Sequence, residues 1–130
     1  MVTAQNWEAS YGEALLKSKE QDKPIVLIFS GSDWCAPCIK LERLIWQSEK
    51  FVAYADQNYV LYKADFPRKK SNPLTEVQAL KNKTLAAKFN PKGYFPLVLL
   101  IDGAEKVLGE TGYQKLSPEQ YISHLNSFLE

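Results

Sequence analysis

The sequence predicts an α/β domain in which a four-stranded mixed sheet lies between layers of helices, a three-layer α/β/α arrangement. Apolar runs near residues 25–30, 59–64 and 97–101 have the length and composition of buried strands, and stretches with helical periodicity separate them. With 130 residues, the chain is long enough for one domain with its own core. We therefore expect a single domain over residues 7–130, preceded by a flexible N-terminus at residues 1–6.

The first half of the chain shows three predicted elements. Residues 7–20 carry apolar and small side chains at helical spacing, and Pro24 ends this helix because proline disfavours helix before it. Residues 25–30 lack polar alternation, which predicts a strand buried on both faces and central in the sheet. A helix is predicted over residues 39–48, with another turn or two at 51–54. Its expected apolar stripe is Leu41, Leu44 and Ile45.

In the second half, residues 59–64 are predicted to run parallel to the first strand through a right-handed crossover. Asn72 followed by Pro73 resembles a helix cap, and the helix extends to about residue 89. Residues 97–101 form the third strand, and Asp102 with Gly103 predicts a tight turn into a fourth at 105–109.

The last helix is predicted to begin at a capping box, in which Ser117 and Gln120 cap each other's backbone N–H groups. Its expected inward side chains are Tyr121, Ile122, Leu125, Phe128 and Leu129.

Charge and hydropathy exclude several classes of function. The formal net charge of +1 gives no general attraction to nucleic acid or to an anionic membrane. No apolar run approaches the roughly 18 residues of a transmembrane helix. The first six residues are too short and polar for a signal peptide, which leaves a cytoplasmic location open. No long apolar stripe requires a dimer, so we expect a monomer.

The chemistry-bearing feature is the pair Cys35 and Cys38, delivered by an apolar strand to the start of a helix. This spacing puts both sulfurs on the first helical turn, where unsatisfied N–H groups favour thiolate over thiol. Zinc normally requires four nitrogen or sulfur ligands, and the chain adds only His124. A structural bridge closing so short a loop would stabilise little. The pair therefore predicts dithiol–disulfide exchange, with no metal.

The string Trp34-Cys35-Ala36-Pro37-Cys38 after an apolar strand resembles the thioredoxin family. The longer string 29–35 is similar to a branch of exported bacterial thioredoxin-like disulfide reductases and isomerase-like proteins, and similar strings of that branch occur at 65–70, 93–96 and 109–113. The resemblance implies a thioredoxin fold with strand order 59–64, 25–30, 97–101, 105–109. It also favours a periplasmic or otherwise exported location.

The cysteine roles follow from their order in the helix. Cys35 is the expected nucleophile because it lies nearer the helix start, and Cys38 is the expected resolving thiol. Electrons are carried by the cysteine pair, so we expect no dissociable cofactor, disulfide-containing proteins as substrates and an unidentified upstream electron donor. Ala36-Pro37 is similar to the Gly-Pro of reducing thioredoxins, which implies a reductase, or an isomerase, with a potential nearer about −270 mV than about −120 mV.

The resemblance also implies a cis proline at Pro96, opposite the cysteines, although most X-Pro bonds are trans. Phe95 would then offer its backbone to an extended substrate. Trp34, Tyr94 and Phe95 are the expected apolar rim around Cys35; the alternative is that these aromatic residues belong to the core.

The chain departs from the family pattern at three positions. Phe29, with Ile28 before it, stands where thioredoxins keep a buried aspartate, Leu61 lies nearest the place of its partner lysine, and Arg43 replaces the kink proline. Glu42 is a candidate proton acceptor for Cys38, against the alternative of a solvated side chain.

Other hypotheses also stay open at this point. Asp33 would raise a nearby thiol pKa if it were close. The basic loop from Arg68 to Asn72 either docks a partner or is merely solvated. The alternatives to catalysis are a redox-quiet binding module and a Cu(I) carrier that uses both cysteines.

Overall fold

A computed structural model describes residues 7–130; the expected flexible N-terminus, residues 1–6, lies outside the described residues. The elements occur in the order helix–strand–helix–helix–strand–helix–strand–strand–helix. Their bounds are α1 Tyr11–Gln21, β1 Ile25–Ser30, α2 Ala36–Leu41, α3 Glu49–Asn58, β2 Val60–Asp65, α4 Glu76–Phe89, β3 Leu97–Ile101, β4 Val107–Thr111 and α5 Pro118–Asn126. A π-helical turn, Glu42–Trp46, follows α2, and a 3₁₀ turn, Ser127–Leu129, follows α5.

The four strands form one mixed sheet with the order β2-β1-β3-β4, which confirms the predicted fold class and strand order. β1 runs parallel to β2 and antiparallel to β3, and β4 runs antiparallel to β3. Every residue of β1 is buried, as its unbroken apolar sequence predicts. Between residues 7 and 130, no helix is both long and apolar enough to cross a membrane.

The helices cover both faces of the sheet with two separate apolar cores. On one face, Leu41, Trp46 and Leu125, from α2, its π turn and α5, pack with Val26 and Ile28 of β1. On the other face, Ala14 of α1 and Leu85 of α4 pack with Leu27 and Phe29. Alternate residues of β1 therefore belong to different cores, and the sheet lies between two helical layers.

The first helix begins at Tyr11, so the prediction of helix from residue 7 is wrong. Ser10 has extended backbone angles, and its side chain accepts a hydrogen bond from Glu13 N (3.1 Å), which makes it the N-cap. The preceding segment lies along the sheet: Trp7 forms a parallel bridge with Leu61, and Glu8 N–H donates to Leu61 O (2.9 Å).

The helix after the cysteines is interrupted by the π turn. Gln47 N–H donates to Glu42 O (3.0 Å), a wider spacing than in an α-helix. This wider turn changes which side chains face the sheet. Ile45 and Trp46 enter the core, whereas Leu44 is 47% exposed, so the prediction of Leu44 in the apolar stripe is wrong.

The predicted start of the fourth helix at Asn72-Pro73 is also wrong. The helix begins after Thr75, whose side chain accepts a hydrogen bond from Gln78 N (3.1 Å). The Asn72 side chain is engaged elsewhere, because its amide donates to the carboxylate of Asp33 (3.0 Å). The predicted end of this helix, at Phe89, is confirmed.

The turn before β4 is wider than expected, and β4 starts at Val107 instead of residue 105. The Asp102 carboxylate accepts hydrogen bonds from Ala104 N and Lys106 N (both 2.9 Å), and Glu105 has a positive φ of 68°.

At the last helix, the capping box of Ser117 and Gln120 is confirmed. Tyr121 and Leu125 are fully buried and Ile122 and Phe128 are partly buried, as predicted, but Leu129 is exposed because the chain turns into the 3₁₀ segment there.

Candidate functional site

Cys35 and Cys38 lie where β1 leads into α2, and a disulfide joins them with their Cα atoms 5.2 Å apart. Cys35 is the N-cap of α2, and its sulfur accepts a hydrogen bond from Cys38 N (3.3 Å). The Cys38 sulfur lies 3.5 Å from Gly31 N, which donates to it. Backbone N–H groups are thus aimed at both sulfurs, an arrangement that stabilises a thiolate once the bond is reduced. Both cysteines are buried, at 5% and 3% exposure.

Trp34 is held over the loop that precedes the cysteines. Its indole N–H donates to Phe66 O (2.6 Å), and its ring packs edge-on against Phe95, with centroids 5.4 Å apart. A Cβ added at Gly31 would lie 2.3 Å from the Trp34 ring, so only glycine permits this close approach. Phe66 also packs against Phe95 (5.3 Å). The structure therefore brings two of the three predicted rim residues, Trp34 and Phe95, together.

Tyr94, the third predicted rim residue, is 55% exposed and is held through its backbone. Its N–H donates to the Asn90 side chain (3.0 Å), and its C=O accepts from the same side chain (2.8 Å). Among the ring contacts of the described residues, none joins Tyr94 to Trp34 or Phe95.

The peptide bond between Phe95 and Pro96 is cis, as the resemblance implies. Leu97 pairs with Phe29, which places Pro96 at the same edge of the sheet as the cysteine loop. A surface depression of about 370 Å³ lies beside this proline. It is lined by Tyr94, Phe95, Pro96, Leu97, Glu110, Thr111 and Gly112.

A hydrogen-bond network ties the cysteine loop to the chain that follows β2. The Asp33 carboxylate accepts from Arg68 N (2.9 Å), Lys69 N (3.1 Å) and the Asn72 side chain. These donors, led by the Arg68 backbone, hold the pKa of Asp33 below its ordinary value. Ser32 N–H and its hydroxyl both donate to Asp65, at the end of β2. Asp33 therefore binds the basic loop, a role that the sequence analysis did not foresee.

The Arg68 side chain contacts Trp34, the residue that precedes Cys35. The centre of its guanidinium is 3.6 Å from the centroid of the Trp34 ring, a close cation–π stack. The run of three basic residues was visible in the sequence, but its contact with Trp34 was not, because thirty-odd residues separate the two.

An ion pair between Glu42 and Lys63 lies one helical turn after Cys38. Glu42 follows Cys38 by one helical turn, with its N–H bonded to Cys38 O, and its carboxylate forms an ion pair with Lys63. Lys63 is in register with Ile28 and lies over the Trp7 ring at 4.5 Å. These two charged side chains are only 27% and 23% exposed, so Glu42 is not a simple solvated group.

Glu42 was predicted as a candidate, but its ion pair with Lys63 was not. Leu61, which lies nearest the place of the family's lysine, is buried and in register with Val26. Phe29 and Ile28 are buried and apolar, and neither offers a carboxylate.

His124 takes part in the packing of α5. Its Nε2 lies 2.8 Å from the Thr111 hydroxyl, and its ring contacts Tyr121 and Phe128 edge-on. Within residues 7–130, no group of three or more His, Cys, Asp or Glu side chains is placed to hold a metal ion.

Comparison with known proteins gives a consistent result. A family model described as thioredoxin-like matches residues 6–103. The chain is 40% identical over 124 residues to the disulfide bond reductase DsbH of Chlamydia pneumoniae, covering 95% of this chain and 72% of that protein. It is 32% identical over 106 residues to the thioredoxin-related protein DsbJ of Chlamydia pneumoniae, covering 82% of this chain but only 30% of the relative.

A solved structure of a DsbH oxidoreductase superposes with a TM-score of 0.90 at 38% identity, covering 98% of this chain and 86% of that one. The likeness therefore extends over the sheet, both helical layers and the segment that carries the cysteines.

Proposed function

This chain belongs to the thioredoxin-like family and is a thiol–disulfide oxidoreductase, and we propose that it works as a protein-disulfide reductase with Cys35 as nucleophile and Cys38 as resolving thiol. The observation that carries the proposal is the N-cap position of Cys35, whose sulfur accepts the Cys38 N–H. A helix N-terminus lowers a thiol pKa and so favours the attacking thiolate.

The proposed reaction has two exchange steps. The Cys35 thiolate attacks one sulfur of a substrate disulfide, forms a mixed disulfide and releases the other substrate sulfur as a thiolate. The Cys38 thiolate then attacks the Cys35 sulfur, which releases the second substrate thiolate and leaves the Cys35–Cys38 disulfide. Two electrons pass from the protein to the substrate, and an upstream thiol donor must return them. No dissociable cofactor takes part.

Two observations support reduction as the direction. The relative that is 40% identical over nearly the whole chain is named a disulfide bond reductase. The residues between the cysteines are Ala36 and Pro37, with no histidine to stabilise the reduced form. Isomerisation uses the same first step and remains within the proposal. The proposed location is the periplasm or another exported compartment, with the cytoplasm as the alternative.

Substrate docking is proposed at Pro96 and its depression. Phe95 would offer backbone groups to an extended substrate segment, in the manner of an added strand. Tyr94 and Phe95 line this depression, and the half-buried Trp34 ring packs on Phe95 from the cysteine loop. These contacts would align a substrate disulfide with Cys35.

Cysteine variants test the assignment of roles. Cys38→Ser should accumulate a mixed disulfide with a disulfide-containing substrate, because the resolving step is lost, whereas Cys35→Ser should accumulate none. The measurement is intact mass after acid quenching, with the double variant Cys35→Ser/Cys38→Ser as control. Equal trapping by both single variants would overturn the roles. Failure of the wild-type pair to equilibrate with a glutathione buffer would overturn the redox function.

Glu42 is proposed to accept the proton of Cys38 before the second step, with Lys63 holding its carboxylate in place. Cys38 and Glu42 are neighbours because they lie four residues apart on a helix. The ion pair with Lys63 fixes the position of the Glu42 carboxylate. General-base assistance typically contributes about 10²-fold or more, so Glu42→Gln should slow the second step by about that factor.

The loss should fall on the second step alone. Rapid-quench measurement of mixed-disulfide decay separates this step from the first. Glu119→Gln is the matched control, since it removes a carboxylate that is also paired with a lysine, Lys50, but on the exposed surface. An equal slowing of both steps would reduce Glu42 to a structural residue.

A further inference from the structure

We propose that Arg68, Lys69 and Lys70 form a substrate-selecting rim that favours disulfides flanked by acidic residues. This inference rests on the proposed reductase function and adds the chemical class of substrate to it. The three side chains are exposed and consecutive in the loop after β2. We call them the basic rim.

The basic rim is fixed beside the cysteines by hydrogen bonds. Asp33, two residues before Cys35, binds the backbone N–H groups of Arg68 and Lys69 and the side chain of Asn72. The loop also closes on itself, with Asn72 N–H donating to Lys69 O (3.0 Å). A solvated loop with no function needs no such anchor to the reactive motif, so the position of these cations is set relative to Cys35.

Arg68 has an orientation suited to binding a carboxylate. Its guanidinium stacks on Trp34 at 3.6 Å, and a stacked guanidinium keeps its N–H donors pointing outward in its own plane. Such donors bind a carboxylate through two parallel hydrogen bonds. Because Trp34 directly precedes Cys35, a carboxylate bound there would belong to a residue near the substrate disulfide.

The cations of the basic rim are also available for a partner. In the part of the chain that the structure describes, ion pairs join Lys17 to Glu8, Lys50 to Glu119, Lys63 to Glu42 and Lys88 to Glu105. None of those pairs includes a side chain of the basic rim. Lys69 also acts electrostatically on Asp33 and helps to lower the pKa of that carboxyl, so Asp33 and Asp65 offset part of the charge of the basic rim. Three cations beside these two carboxylates leave this surface with an excess of positive charge, which is complementary to acidic substrates.

The proposal predicts a charge preference in a single-turnover reaction. The reduced protein, freed of reductant, is mixed with one of two disulfide-bridged peptides that differ only in glutamate or glutamine beside the disulfide. Rates are divided by those with dithiothreitol, which corrects for intrinsic reactivity. We expect the wild type to prefer the glutamate peptide by about tenfold at low salt. The preference should shrink towards one in 1 M salt, where the screening length is about 3 Å.

Variants that remove charge test whether the preference for the glutamate peptide depends on the basic rim. Arg68→Gln should lose most of the preference, and Arg68→Gln/Lys69→Gln/Lys70→Gln should lose all of it. The matched control Lys19→Gln/Lys81→Gln/Lys106→Gln removes the same charge from exposed lysines outside the site and should keep the preference. A neutral probe, 4,4′-dithiodipyridine, gives the rate of each variant with an uncharged disulfide. The glutamate-to-glutamine rate ratio is taken within each variant, so a change in thiol reactivity cancels from the preference.

The outcomes separate the two proposals. If the wild type reduces neither peptide and not dithiodipyridine, the proposed reductase function fails. If it reduces dithiodipyridine and both peptides at equal corrected rates, only the basic-rim proposal is overturned. An equal loss of preference in the control triple variant would also overturn it, since net charge alone would then explain the effect.

Discussion

Aspartate side chains accept hydrogen bonds at both ends of the strands, which we call the cysteine edge and the opposite edge. The two differ in how far apart the bonded residues lie in the chain. At the cysteine edge, Asp33 and Asp65 accept hydrogen bonds from groups 33 to 39 residues away in the chain. At the opposite edge, the Asp102 carboxylate accepts N–H groups only two and four residues ahead of it. Asp33 and Asp65 join distant segments, whereas Asp102 closes its own turn. Glu105 in that turn separately contacts Tyr11 and Lys88.

This difference separates the parts of the molecule that affect reactivity from those that affect stability alone. The hydrogen bonds of Asp102 stay within its own turn, so changing Asp102 should leave the cysteine loop in place. A loop whose position depends on distant residues transmits a change to everything in contact with it, and Trp34 and Cys35 lie within that region. We therefore expect substitutions at the cysteine edge to alter disulfide exchange, and matched substitutions at the opposite edge to leave exchange unchanged.

The largest expected effect comes from adding one methyl group at Gly31, at the cysteine edge. In Gly31→Ala the new Cβ would lie 2.3 to 2.7 Å from atoms of the Trp34 ring, which is held by Phe66 and cannot yield freely. Overpacking of this kind costs about 1–3 kcal/mol of the free energy of unfolding. Denaturant titration measures that cost, and the rate of dithiodipyridine reduction should fall with it because Trp34 is displaced.

The matched substitution at the opposite edge is Gly103→Ala. Its Cβ would meet Lys19 Cγ at 2.9 Å, Ser18 Oγ at 3.3 Å and Lys19 N at 3.4 Å, contacts that are all wider than the closest one at Gly31. The expected cost is below about 1 kcal/mol, with no change in exchange rate. If Gly103→Ala slowed exchange as much as Gly31→Ala, the two edges would not differ in the way described.

The second comparison is between Asp33→Asn and Asp102→Asn. Its expected effect is smaller than that of Gly31→Ala. The charged form of Asp33 is favoured in the folded state, since donors from the Arg68 loop lower its pKa. A lowered folded pKa stabilises the fold above the unfolded value of about 3.9, and this stabilisation is lost as pH falls through the folded value. Asp33→Asn should therefore lower the melting temperature at pH 7, and the difference from wild type should shrink as the pH falls below about 4.

The same pair of variants tests whether each aspartate affects the preference for acidic peptides. Asp33→Asn should weaken the preference for acidic peptides, because the anchor of the basic rim is loosened. Asp102→Asn should leave that preference at its wild-type value, whatever it does to the melting temperature. A loss of preference in Asp102→Asn would contradict the local character of the opposite edge.

The same contrast explains what the sequence could predict. The strands, the cysteine pair at a helix start and the capping box at Ser117 depend on residues close together in the chain, and all were found. Contacts between distant residues were missed. Asn72 was read as a local cap although it binds Asp33, and Lys63 was overlooked because its partner Glu42 lies 21 residues earlier. The π turn left no pattern in the apolar spacing that distinguishes it from an α-helix.

The hydrogen bonds that anchor the basic rim involve mainly backbone groups. Asp33 holds Arg68 and Lys69 through their N–H groups, which every amino acid except proline provides. Side chains at these two positions can therefore be exchanged while the loop keeps its place beside the cysteines. Evolution, or a protein engineer, can thus retune which substrates are accepted without rebuilding the reactive centre. Acidic or apolar residues substituted at positions 68–70 would change which substrates are preferred while the loop keeps its position.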